Sequence, residues 1–194
     1  MKSEIFTMTI EGFSGLIFNS NVELLAFEPV DKGPNKDLYE REHYRERAYA
    51  TDTGALYIPA IAVRETMIEA CRFYPKKPKG TLFKSFGPLV GAALVFADHA
   101  MLIGKTLDDL YPYRSVVNLI PSRGKRGPRG ARTRPMLPPP WRSVVDFVVV
   151  DPVLEQTVLA EIAERAGKQC GFLDGRSQGF GRAIVTVKNT GKTI

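Results

Sequence analysis

Gly171-Phe172-Leu173-Asp174-Gly175-Arg176-Ser177-Gln178-Gly179-Phe180-Gly181-Arg182 is the stretch from which the fold is read. Four glycines in twelve residues mark a loop. Before it, Leu154, Val158, Ile162 and Ala166 recur at helical spacing, with Asp151-Pro152 as a helix start and Gly167 as its cap. After it, residues 182–187 read as a closing strand, and Lys188 to Ile194 as a frayed tail.

Working outward, residues 143–150 are strongly β-branched and predict a strand. Residues 114–120 predict another, and 89–101 a buried one around Leu94-Val95-Phe96. Residues 60–74 predict a helix buried through Ala60, Val63, Met67, Ala70 and Tyr74, with Ile61 and Ile68 broadening the stripe. Tyr57-Ile58-Pro59 is its extended lead-in, because a residue before proline avoids the helical region. At the start, Phe6, Met8 and Ile10 alternate with Thr7 and Thr9, the pattern of a half-buried strand. Residues 16–18 and 22–27 continue as strand. The charged stretch from Tyr39 to Arg47 reads as a short exposed helix or a mobile insertion, within an insertion of about 28–53.

The predicted order is β-α-β-β-α-β. That is an α+β, ferredoxin-like or RNA-recognition-motif-like plan, with a long insertion after strand one and a basic arm before the penultimate strand. At 194 residues, 44% of them hydrophobic, one domain over 1–194 is expected. No apolar run reaches the roughly 20 residues of a membrane span, and no signal-peptide pattern opens the chain. Two cysteines, Cys71 and Cys170, make no disulfide framework and suit a reducing cytoplasm. With only His43 and His99 besides, neither a metal site nor a cofactor is expected.

The charge is concentrated. Arg123, Lys125, Arg126, Arg129, Arg132, Arg134 and Arg142 fall within twenty residues that hold no acid. They account for more than the whole formal net charge of +6, so the rest of the chain is close to neutral. Such an arm, about 121–142, suits a polyanion, although charge alone leaves open a solvated loop. A smaller basic turn lies at Lys76-Lys77-Pro78-Lys79.

Four features together resemble the RAMP superfamily, the RNA-binding subunits of CRISPR effector complexes and their relatives. These are the Gly-containing bend Glu11-Gly12-Phe13-Ser14-Gly15-Leu16, the segment Tyr57-Ile58-Pro59-Ala60-Ile61-Ala62-Val63-Arg64 opening helix one, the basic arm, and the Gly-Phe-Gly loop at 179–181. The resemblance spans nearly the whole chain. It departs from the pattern at Ala60-Ile61, where a small glycine-serine pair is usual, and in its short length. It implies a protein that coats a small guide RNA as a head-to-tail oligomer and presents the bases to a complementary RNA or DNA target. No membrane partner is implied.

The residues assigned to RNA are Arg64, Arg114, Arg123, Lys125, Arg126, Arg129, Arg132, Arg134, Trp141, Arg176, Gly179, Phe180, Gly181 and Arg182. Arginine forks suit phosphates and stack on bases. Gly179 and Gly181 permit close approach of backbone N–H groups to phosphate, or support the loop itself. Trp141 is a stacking candidate or a core residue. No catalytic residue is assigned. Asp31, Asp37 and Asp52, in the region where some family members carry a catalytic aspartate, have no distinguishing context. Two other classes remain: a metal-independent endoribonuclease using His43 or His99, and an assembly protein that binds nucleic acid nonspecifically. His99, beside Asp98 at a strand end, reads as structural.

Overall fold

The structure is a computed structural model and describes residues 3–20, 36–118 and 129–194. It is α+β, with antiparallel sheets and four helices among these residues. In chain order the elements are β1 (Glu4–Gly12), β2 (Leu16–Ile17), α1 (Lys36–Glu42), β3 (Ala55–Ile58), α2 (Ala60–Ala70), α3 (Phe86–Ala93), β4 (Leu94–Phe96), β5 (Ala100–Thr106), β6 (Tyr111–Asn118), β7 (Arg129–Leu137), β8 (Trp141–Val149), α4 (Gln156–Arg165) and β9 (Ala183–Thr193).

The main sheet runs β3-β5-β8-β1-β9, and β4 shares one edge of β8 with β5. This arrangement is compatible with a ferredoxin-like fold. Strand alternation decides which face is covered. Phe6, Met8 and Ile10 of β1, Val145 and Phe147 of β8, and Val185 and Val187 of β9 are buried. Their neighbours Thr7, Thr9, Asp146 and Thr186 point to the other face. Each large apolar side chain buried this way contributes about 1.5–3 kcal/mol. Phe6 and Phe147 stack at 5.8 Å. Helices α2 and α4 close this face through Val63, Met67, Leu159, Ile162 and Ala163.

Helix α2 starts at Pro59, whose carbonyl accepts from Ala62 N and Val63 N. Ile61, expected to broaden its buried stripe, is instead exposed. The single strand expected over 89–101 is replaced by α3 and two short strands. Glycines hid this helix: Gly91 lies against Ile68 of α2, where a Cβ would meet the Ile68 side chain at 3.2 Å. Pro88 falls in the first helical turn, where amides have no intrahelical partner.

Helix α4 begins five residues after Asp151. The Asp151 carboxylate accepts from Val153 N at 2.9 Å, closing a separate turn first. The buried stripe therefore includes Leu159 rather than Val158. Gly167 is no cap; its missing side chain admits the carbonyl of Ala183, which a Cβ would meet at 2.2 Å. The expected frayed tail is strand, because β9 pairs with β1 out to Glu4↔Thr193. The charged insertion does form helix α1, followed by a 3-10 turn at Tyr44–Arg47. The strand expected at 22–27, residues 28–35 of the insertion and residues 121–128 of the arm lie outside the described residues.

Candidate nucleic-acid interface

The arm is a β-hairpin. Strand β6 pairs antiparallel with β7 from Tyr111↔Met136 to Asn118↔Arg129. At its base β7 also pairs with β2, whose Leu16 and Ile17 are fully buried. This second sheet, β2-β7-β6, anchors the arm to the core. The sequence pattern gives one strand, at 114–120, before a basic, Gly/Pro-rich, hairpin-like arm, and marks no strand inside the arm. Strand β7 carries no clear strand pattern in the sequence because Gly130 and Pro135 interrupt it.

The structure places Arg123, Lys125 and Arg126 outside the described residues and Arg129 at the first described position of β7. The remaining arm cations each meet an acid. Arg134 is buried and donates to Asp174 and to Ser115 Oγ, which ties the arm to the glycine-rich loop. Arg132 Nε lies 3.8 Å from Glu40 of α1, and Arg114 Nη2 lies 3.0 Å from Asp37 of the same helix. Arg142 belongs to β8 and pairs with Glu11 at 3.6 Å. No local pattern pairs these acids with the arginines, because each is distant in sequence, 77 residues in the case of Arg114 and Asp37. The only local signal was Asp37 and Glu40 at a spacing of three on one helix face.

The glycine-rich loop is hydrogen-bonded to itself and to the bend after β1. Gly181 N donates to Gly15 O at 2.8 Å, and Arg182 N to Ser14 Oγ at 2.7 Å. Gly179 N and Phe180 N bond within the loop, to Arg176 O and Gly175 O. These amides therefore form no open phosphate cradle; of the two expected roles, the geometry fits loop support. The Phe180 ring lies edge-on to Tyr113 of the arm, with centroids 5.0 Å apart. Arg176 pairs with Glu69 of α2, and Arg182 donates to the carbonyls of Lys168 and Arg176. Together with Arg134, these two arginines line a cleft of about 510 Å³.

Trp141 is a core residue. It is 2% exposed, and its indole N–H donates to Ser14 O at 2.8 Å. A Cβ on Gly12 would meet its ring at 1.8 Å, so the small residue in strand one makes room for the indole. No ring face is left for a base. Arg64, on α2, lies 4.0 Å from Glu65. His99 accepts from Ala60 N at 3.2 Å and stacks on Tyr57 with centroids 4.4 Å apart, the structural role expected. His43 stacks on Tyr39 and meets Glu46 at 2.7 Å.

The sheet with its covering helices and the β6–β7 strand pair forms a fold shared with solved Cmr chains. The chain is similar to one from the Type III-B Cmr-beta complex bound to cognate target RNA, with a TM-score of 0.55 and 9% identity over 97% of this chain and 61% of that one. It is also similar to Cmr6 from Pyrococcus furiosus, with a TM-score of 0.51 and 12% identity over 94% of this chain and 97% of that one. The chain thus spans about three fifths of the length of the first neighbour. No family model and no curated protein match the sequence. Among the described residues no helix is long and apolar enough to cross a membrane.

Proposed function

We propose that this chain is a guide-RNA-binding subunit of an RNA-guided ribonucleoprotein. The observation that carries the reading is the basic β-hairpin mounted on a fold shared with CRISPR RAMP subunits. One of those neighbours belongs to a complex described as bound to cognate target RNA. The arm cations Arg123, Lys125, Arg126 and Arg129, flanked by Arg114 and Arg132, hold guide phosphates; Arg176 and Arg182 of the cleft extend that contact. Arg134, Trp141 and the glycines hold the scaffold. Copies stack head to tail along the guide, a heterologous contact whose extent the RNA length sets. The uncovered bases pair with complementary RNA or DNA, so sequence specificity comes from base pairing. The protein works in the cytoplasm, where Cys71 and Cys170 stay reduced.

The test is to purify the protein from a native-like host, extract the bound nucleic acid and sequence it. A discrete small RNA of uniform length is expected. No nucleic acid, or a random smear removed by salt, overturns the reading. Alanine at Arg123, Lys125 and Arg126 together is expected to weaken RNA binding and to flatten its salt dependence by about two to three phosphate contacts.

A further inference from the structure

Helix α1 and the hairpin meet through charge, and the two acids involved are held differently. Glu40 is 5% exposed. It accepts from Thr133 N at 3.4 Å and lies within 4 Å of Arg132 and Arg47. Its carboxylate is part of the joint between helix and arm. Asp37, one turn earlier, sits near the surface between two arginines. Arg41 Nη2 is 3.0 Å from its Oδ2, and Arg114 Nη2 is 3.0 Å from its Oδ1 and donates to Oδ2 at 3.1 Å. Both arginine side chains are about half exposed. The Asp37 Oδ1 is shielded from water yet accepts no well-aligned hydrogen bond among the described residues, so the carboxylate leaves the pair incompletely satisfied.

We propose that Arg41 and Arg114 form a clamp for one backbone phosphate of RNA, and that the Asp37 carboxylate fills it until RNA arrives. The inference rests on the reading that the hairpin binds RNA, and it adds Arg41, which that reading did not include. A carboxylate and a phosphodiester each present two oxygens sharing one negative charge, which suits the same pair of guanidinium forks. An exposed ion pair is a weak competitor. A phosphate held along a strand by its neighbours displaces it, and Asp37 turns to solvent. Glu40, buried in the joint, stays.

The experiment measures binding of a labelled oligouridylate by anisotropy across a salt series. Asp37→Asn is expected to tighten binding roughly two- to fivefold at low salt, the range of an exposed ion pair. That gain vanishes in the Asp37→Asn, Arg114→Ala double variant. Arg41→Ala and Arg114→Ala each weaken binding and reduce the salt slope by about one contact. Asp37→Glu keeps the negative charge and shows no tightening. If Asp37→Asn leaves affinity unchanged while the Arg123, Lys125, Arg126 triple variant still weakens it, the clamp is wrong and the RNA-binding arm stands. A gain that persists without Arg114 also overturns the clamp, because the carboxylate then acts by general repulsion. If the triple variant has no effect either, the arm reading falls and the clamp with it.

Discussion

Alanine at Gly181 and alanine at Gly179 share one backbone cost and differ in a second, so the pair isolates what the glycine-rich loop is for. Both residues have a positive φ, +70° and +88°, and an alanine held there costs about 1–2 kcal/mol in backbone strain. At Gly179 a new Cβ meets nothing within 4 Å. At Gly181 it stands 2.0 Å from the carbonyl oxygen of Phe172 and 2.6 Å from its nitrogen. That backbone has little room to retreat. Phe172 N donates to Gly181 O at 2.9 Å, and Gly181 N donates to Gly15 O at 2.8 Å, so relief breaks bonds that join the loop to the bend after β1. Overpacking adds about 1–3 kcal/mol. Gly181→Ala is therefore expected to lose roughly 2–5 kcal/mol against a typical total of about 5–15. With a urea m-value of about 2 kcal/mol/M, the midpoint falls by about 1–2.5 M, against about 0.5–1 M for Gly179→Ala. Equal midpoint shifts for the two variants refute the argument that close approach to Phe172 demands glycine at 181.

Trp141 is the only tryptophan, so its fluorescence reports one site. Native emission is expected to be blue-shifted and resistant to iodide, and saturating RNA leaves it unquenched; quenching by RNA would return the indole to the binding surface. Trp141→Ala loses about 3–5 kcal/mol in a denaturant titration, the usual cost of truncating a buried aromatic. Glu40→Gln leaves Arg47 and Arg132 without their shared charge and costs about 1–3 kcal/mol, read as a lowered melting temperature; a variant as stable as the parent shows that helix α1 is not held to the arm this way. Burial pushes the Cys71 thiol up to about 12, and desolvation also raises Cys170. Both thiols stay protonated in the folded protein where they ionise in the unfolded one. The contribution of Cys71 to stability is thus complete below pH about 9 and is lost as pH climbs toward about 12, with Cys170 acting in the same direction, and at pH 8 a disulfide reagent is expected to modify both thiols more slowly in the folded protein than in the unfolded one.

Local pattern by itself determined a good part of this molecule. The alternation of Phe6, Met8 and Ile10 places β1 with the correct face buried, and Pro59 marks the start of α2. Both signals are short-range, set by pleat and by proline sterics within a few residues. The clustered cations likewise mark the arm, because charge density needs no fold to be counted. Tertiary structure alone decided the rest. Helix α3 holds despite Gly87 and Gly91 because these two residues let it lie close against Ile68 of α2. Trp141, in the same stretch as the arm cations, turns into the core because Gly12 on the neighbouring strand leaves room for it. Arginines with the same charge in the sequence divide by the acid each one meets: Arg134 with Asp174, Arg132 with Glu40, Arg114 with Asp37. Those partners lie 40 residues or more away along the chain. Their approach depends on how the hairpin docks, a long-range outcome that no local period encodes.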